Sequence, residues 1–308
     1  MTAQVVVAGA VQVAGVGLAP LLPGTVQTLK ARLQGRRGAS PLQPYRDLRR
    51  LWGKSLVAPD GTTAIYRVTP ALVAASLLLV VFLVPIAGAS PDWPIGHDAL
   101  LAVGLLALAR FTLAAAAWDT GGGFGLIGAS RDLTISVFAE GVLLLVLVGA
   151  ALPLGSTDLR SMSDAAAGAA IWTAPMHWCT AAAFALVVLV ETGRQPIDNP
   201  DTHLELTMIH EGPLLEYAGR DLALLQWAAA ARHWVMLVLA ADLFVPQFGS
   251  FPARLLLCAL GVAAFCGALA LVETAMAKMR TLVVPLHLAA AAAITLIGIG
   301  TWFIGGRP

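Results

Sequence analysis

Between residues 191 and 221 the chain reads ETGRQPIDNPDTHLELTMIHEGPLLEYAGRD, and seven of its eighteen acids fall in that stretch. Carboxylates so concentrated between two long apolar segments cannot lie in lipid, where each would cost several kcal/mol. They belong at a membrane surface or along a polar cavity enclosed by protein. Proton handling and partner docking are the two chemistries open to them. Asn199 is placed to cap a helix whose first residue is Pro200, with Asp201 in its first turn and Gly212 and Pro213 stopping it, so a helix from Pro200 to Glu211 is expected. His203 and His210 would share one face of it. HxxxxxxH is not the HExxH spacing of a zinc site, so the plainer expectation is a solvated helix that contacts a soluble partner, with no metal ligand assigned.

Further charges interrupt the apolar runs. Arg110 lies nine residues before Asp119, and Glu140 eight residues after Asp132, so each is roughly 12 to 14 Å from the same end of its span at 1.5 Å per residue. Matching depth on consecutive spans predicts that Arg110 and Glu140 approach within ion-pair distance or share a bridging water inside the bundle, since an unpaired charge there is costly. Asp242, Glu273 and His287 add further polar points, and Glu140, Glu191, Glu216 and Asp242 are the acids from which a protonation change is expected. The run GGGFG at 121–125 lacks the Lys and Ser/Thr of a nucleotide loop and reads as a tight connector. Cys179, Cys258 and Cys266 sit in apolar runs without a CxxC spacing, as small hydrophobes.

The elements that must position these groups are helices in a membrane. With 58% hydrophobic residues, 12% charged and a mean hydropathy of +0.80, the chain is too apolar for a soluble globular protein. The expected fold is all-α and polytopic, one membrane domain over residues 1–308. Runs long enough to cross a hydrocarbon core fall at 4–22, 68–88, 99–118, 133–152, 171–190, 223–246, 253–272 and 283–304, about eight spans. Arg232 and His233 interrupt the sixth. No Lys or Arg precedes Lys30 and no small-residue cleavage pattern follows the first run, which reads as a retained span. Nine of the nineteen Lys and Arg lie in residues 23–67, and Arg131, Arg194, Arg220, Lys278 and Arg280 fall in the other loops on that side, against Arg160 and Arg254 opposite. The positive-inside rule therefore places loops 23–67 and 191–222 in the cytoplasm and both termini outside. Within the first loop, Leu42, Tyr45, Leu48, Leu51 and Trp52 oppose Arg46, Arg49 and Arg50, the pattern of an amphipathic surface helix. The net charge of +1 says little about partners; the lipid bilayer and proteins are expected, nucleic acid is not.

The segment Glu191, Thr192, Gly193, Arg194, Gln195, Pro196, Ile197, Asp198, followed by acids and then Leu215, Glu216, Tyr217, Ala218, Gly219, resembles the E-T-N-R-x-P-F-D … E-x-E-L … V-E-Y-S-G signature of complex I subunit 1. Gly128, Ala129, Ser130 and Arg131 with Glu140 are similar to that family's G-x-x-R … E motif, and Arg36 to Trp52 to its first cytoplasmic loop. The wording DNPDTHLELTMIHE and the basic KMRTLVVP resemble more closely the membrane anchor subunit of group 4 nickel–iron hydrogenases, of the hydrogenase-4 and formate hydrogenlyase type. One departure from complex I is Asp201, His203 and Glu205 where that family carries three Glu residues in close spacing.

The resemblance implies a subunit without its own redox centre, anchoring soluble hydrogenase large and small subunits and iron–sulfur subunits beside antiporter-like membrane subunits. The nickel–iron centre and iron–sulfur clusters would belong to those partners. It further implies that this chain couples their electron transfer to proton or sodium movement, or simply anchors them, in a bacterial or archaeal cytoplasmic membrane. Together with the charges inside the spans, it puts Arg110, Arg131, Glu140, Glu191, Asp198, Glu216 and Asp242 on a proton path or polar axis, and Arg36, Arg37, Arg46, Arg194, Asp201, His203, Glu205 and His210 at subunit docking. A subunit of a respiratory NADH:quinone oxidoreductase lining a quinone chamber, and a stand-alone ion transporter, remain the alternatives. Against the last, Lys30, Lys54 and Lys278 are the only lysines, and none is mid-span.

Overall fold

In a computed structural model of the protein, which describes residues 3–92, 94–198 and 209–304, the helices are α1 (Ala3–Leu18), α2 (Leu21–Leu33), α3 (Gln43–Trp52), α4 (Ala64–Leu83), α5 (Ala99–Thr120), α6 (Gly123–Ala151), α7 (Leu159–Ala165), α8 (Ala169–Thr173), α9 (Pro175–Glu191), α10 (Gly219–Phe244), α11 (Phe251–Ala275) and α12 (Val284–Ile304). No strand occurs among the described residues. Six helices are long and apolar enough to span a membrane: α4, α5, α6, α10, α11, and α12 with the short turn before it. Helices α1 and α2 make a seventh as a pair bent by 57°, and α9 is a shorter apolar helix of 17 residues packed against α12 and α6. Each of the eight expected runs falls on one of these elements, but the helices long enough to span number six, or seven with the bent pair, among the described residues.

Three boundaries differ from expectation. The first span breaks at Ala19-Pro20 and continues as α2, which packs on α11, so residues 23–33 belong to the bundle and not to a loop. Proline at position 20 supplies the break, because it cannot donate to an unbroken helical ladder. The fifth span starts at Pro175, after the short α8, where a proline at the first helical position is favoured. Helix α10 runs without interruption through Arg232 and His233, both buried; tertiary partners outweigh their polarity.

The inter-helix segments sort to two ends. At one end the Thr63 backbone N–H donates to the Asp119 carboxylate (2.8 Å), the Tyr66 hydroxyl to the carbonyl of Glu216 (2.7 Å), and the Met279 backbone N–H to the carbonyl of Pro196 (2.7 Å). Loops 34–63 and 121–122, the described loop residues 192–198 and 209–218, and residues 276–283 therefore share this end, called here the loop-rich end. At the other, the Leu159 N–H donates to the carbonyl of His97 (2.8 Å) and the Gln247 N–H to that of Ala166 (3.3 Å). Only the first two residues of the glycine run connect helices: Gly121, at φ +66°, closes α5 in the left-handed conformation that glycine tolerates without strain, and Gly123, Phe124 and Gly125 already form the start of α6. Helix α3 lies against α10 and α2, its Tyr45 hydroxyl donating to the carbonyl of Gly17 (2.5 Å), while Leu42 and Trp52 stay exposed. That is the arrangement of an amphipathic helix whose apolar residues divide between protein and membrane surface.

Candidate functional site

Beneath the loop-rich end, three carboxylates lie out of water, each held by basic side chains from elements far apart in sequence. Glu191, the last residue of α9, is 1% exposed and receives Arg110 of α5 at 3.0 Å and Arg232 of α10 at 2.8 Å on the same oxygen. Arg232 also donates to the carbonyl of Leu106 at 2.9 Å. Glu273 of α11, 2% exposed, is flanked by Lys30 of α2 at 3.3 Å and Arg194 at 3.4 Å. Asp198 accepts from Lys278 at 3.0 Å on one oxygen, and on the other from the backbone N–H groups of Ile209 (3.2 Å) and His210 (3.1 Å), with the His210 ring at 3.3 Å. Burial opposes ionisation of Asp198, but the His210 ring and backbone, together with Lys278, outweigh it and hold its carboxyl below the usual range.

Each of these groups would be prohibitive alone in this setting, and together they satisfy one another. Around Glu191 two guanidinium charges meet one carboxylate, an imbalance of +1. Glu140 of α6 interacts electrostatically with both arginines, and Asp132 of the same helix with Arg110, so further carboxylates face the excess positive charge. Glu140 and Arg110 line a common cavity with Phe111 and Ser136. They form no ion pair: the pairing expected from their depth goes to Glu191, leaving Glu140 Oε1 buried without a hydrogen-bond partner. Glu191 wins because the end of α9 presents its carboxylate to α5 and α10 together.

A cavity of about 560 Å³ reaches this network. Glu191, Arg110, Arg232, Arg194, Asp198 and His210 contribute charged or polar walls, while Val73, Leu77, Leu113 and Leu225 make apolar ones. Above it, Tyr66 and Tyr217 stack with centroids 4.4 Å apart, and Tyr217 donates to the carbonyl of Tyr66 at 3.0 Å. Burial, followed by the neighbouring Tyr66, pushes the Tyr217 phenol up, so it remains a donor. The loop approaches α6 so closely that a Cβ on Gly128 would stand 2.7 Å from Gly212 Cα, so both positions require glycine.

The expected site residues thus divide. Arg110, Glu191 and Asp198 join the network, with Glu140 beside it; Arg131 is half-buried on α6 next to Asp132. Glu216 lies apart against Gly122, its backbone carbonyl and not its carboxylate taking the Tyr66 hydrogen bond. Asp242 is at the opposite end of α10, bonded to the Ala87 N–H at 2.8 Å. Arg36, Arg37 and Arg46 are exposed, as docking residues must be. Arg194 and His210, grouped with them in sequence, instead sit inside the network because Glu273 and Asp198 would otherwise lack partners. Asp201, His203 and Glu205 lie outside the described residues, as does most of the expected helix from Pro200; residues 209–211 form bends, not helix. Lys30, Asp132 and Arg232 were not singled out as site residues. A basic residue inside an apolar run was the available signal for Arg232, and for Lys30 only its place at the edge of the first span.

Three comparisons bear on this arrangement. The sequence matches the NADH dehydrogenase family over residues 5–299. The chain belongs to the NADH dehydrogenase family, on the complex I subunit 1-like branch. It is 33% identical to formate hydrogenlyase subunit 4 of Escherichia coli K12, over 93% of this chain and 92% of that protein. It is 34% identical to hydrogenase-4 component C of the same organism, over 79% and 76%. NADH-ubiquinone oxidoreductase chain 1 of Tetraodon nigroviridis is 28% identical over 66% and 61%. Among solved structures, a chain of the membrane-bound sulfane sulfur reductase, an archaeal respiratory membrane complex, superposes with a TM-score of 0.79 at 19% identity, covering 94% of this chain and 97% of its own length, and shares the fold. Among the described residues no group of three or more His, Cys, Asp or Glu side chains could hold a metal ion.

Proposed function

We propose that the chain is the integral membrane subunit of a hydrogenase-type complex. It anchors soluble redox subunits at its loop-rich end and couples their electron transfer to proton or sodium movement through the buried network. One observation carries the reading: Glu191, Glu273 and Asp198, each with two basic partners, lie immediately beneath the loops that carry the exposed arginines Arg36, Arg37 and Arg46. A charge change in a docked partner would act at short range on buried ionisable groups, where low dielectric strengthens it. The whole-length likeness to subunits of formate hydrogenlyase and hydrogenase-4 supports the same reading. The charge asymmetry of the loops supports a cytoplasmic loop-rich end and outside termini in a bacterial or archaeal cytoplasmic membrane. Nickel–iron and iron–sulfur centres then belong to partner subunits, and antiporter-like membrane subunits would extend the ion path.

The test is to tag the chain in its native host and purify it from membranes. Co-purification of a large subunit with paired CxxC motifs and hydrogen evolution by the preparation are expected; a complex lacking any hydrogenase subunit overturns the reading. A second reading, a quinone-lined chamber, draws on the mixed apolar and charged walls of the 560 Å³ cavity, a size suited to small ligands. Quinone retained by the purified complex would favour it.

A further inference from the structure

His210 stands between two carboxylates on different elements. Its Nδ1 is 3.3 Å from Asp198 on its own loop, and its Nε2 is 3.6 Å from Oδ1 of Asp132 on α6. Asp198 is held ionised by Lys278 and two backbone N–H groups, so Nδ1 must carry the hydrogen that faces it. Asp132 Oδ1 is buried and has no hydrogen-bond partner. If His210 were neutral, the lone pair on Nε2 would face the lone pairs of that oxygen across 3.6 Å. The gap is too narrow for a water, which needs hydrogen-bond distance to each side. Only a proton fits it, on one side or the other.

We propose that His210 and Asp132 together bind one exchangeable proton and form the gate between the loop-rich end and the interior polar network. The inference rests on the proton-coupling reading given above. His210 and Asp132 both line the 560 Å³ cavity, but the His210 side chain is 25% exposed against 8% for Asp132, so the proton enters at the ring. Transfer breaks the Nε2–H bond and forms an O–H bond on Asp132; no electron moves, and His210 returns to neutral, ready to take the next proton. The groups facing the pair set its response. Asp198, with Lys278 behind it, fixes the ring; Glu191 at the end of α9 interacts with the His210 charge, and Arg110 on α5 with Asp132. Arg110 and Glu140 lie beyond Asp132 toward the interior, which gives the proton a direction. The ring is held against Gly193, where a Cβ would stand 2.9 Å from the imidazole, so the loop backbone and the gate move together.

Infrared difference titration of the purified whole complex, with nitrogen-15-labelled histidine, tests the pair directly. A one-proton imidazole transition is expected that is lost in His210→Gln and displaced in Asp132→Asn. A transition that Asp132→Asn leaves untouched overturns the pairing, as does its absence from the unsubstituted complex. Turnover-linked acidification of inverted membrane vesicles, read with a pH dye against hydrogen evolution, tests the gate. Asp132→Asn should slow turnover-linked proton movement by about a hundredfold, the lower end of what a positioned acid–base group contributes to a rate. Full proton movement in that variant overturns the gate. If the unsubstituted vesicles move no protons while the infrared pair is present, the proton-coupling reading fails instead. Co-purification of the soluble subunits with each variant separates these outcomes from misassembly.

Discussion

The two ends of the bundle treat a buried carboxylate in opposite ways. At the loop-rich end Glu191 is 1% exposed and shared by two arginines from two other helices. At the far end of α10, Asp242 is 0% exposed and has no ion pair; it accepts a hydrogen bond from the Ala87 N–H in the turn 86–89, where Ala87 takes φ +55°. Both positions are equally dry, yet one is wired to mobile charge on neighbouring helices and the other to a fixed backbone dipole. A carboxylate among guanidinium groups responds whenever any member of the group moves, whereas one capping a turn secures local structure. Burial alone therefore does not mark the working end; the origin of the partners does.

The largest effect separating the two should come from Glu191→Gln. It keeps the volume and removes the one carboxylate that both Arg110 and Arg232 bind directly, and breaking a buried pair in this way usually destabilises by about 3–5 kcal/mol. Thermal unfolding of the purified complex would read this as a marked fall in Tm with loss of the chain from membranes. Unchanged stability would mean that Glu140 already supplies the counter-charge, and the triad would lose its central place.

At Asp242 the effect should be smaller and should depend on the substituent. Asp242→Asn retains a carbonyl-type oxygen for the Ala87 N–H and should leave stability nearly unchanged. Asp242→Ala leaves that N–H unsatisfied, at a cost of about 1–3 kcal/mol. Denaturation of the two variants side by side gives the answer, and a cost for Asp242→Asn equal to that of Glu191→Gln would erase the distinction between the ends.

How far these roles were legible in sequence follows from the same physics. The all-α membrane fold, the place of the apolar helices and the alternation of loops came from hydropathy and charge, because bilayer thickness fixes helix length regardless of sequence detail. The importance of Glu191 and Asp198 was visible in motif wording. Their partners were not. Arg232 and Arg110 lie 41 and 81 residues from Glu191, and Lys278 lies 80 residues from Asp198, so no local spacing connects them, and equal depth is too weak a guide to keep Arg110 from being matched with Glu140. Depth fixes one coordinate of a helical residue; its rotation about the helix axis and the packing of α9 decide the rest. Arg194 and His210 were placed at a docking surface because a loop is normally exposed, but this loop folds back over the network.

The smallest expected effect is confined to that folded-back loop and concerns pH. Asp198 has its carboxyl held below the ordinary range, against the opposition of burial, by His210 and Lys278. A group whose folded pKa lies below its unfolded value of about 3.9 contributes stability that is present above that value and is lost as pH falls through the folded pKa. The contacts of Asp198 with Ile209, His210 and Lys278 should therefore persist from neutral pH to about pH 4 and weaken only below it, in a range where model carboxylates are already titrating. Hydrogen–deuterium exchange of residues 194–198 and 209–217, corrected for the intrinsic pH dependence of exchange, should show protection flat above about pH 4 and falling beneath it. In Asp198→Asn the acid-dependent step should vanish and protection should be lower at every pH, since the amide cannot bind Lys278 as an ion. Should the acid-dependent step instead persist in Asp198→Asn, the controlling group is not Asp198, and the contrast between the two ends of the bundle would no longer rest on the ion partners of that carboxylate.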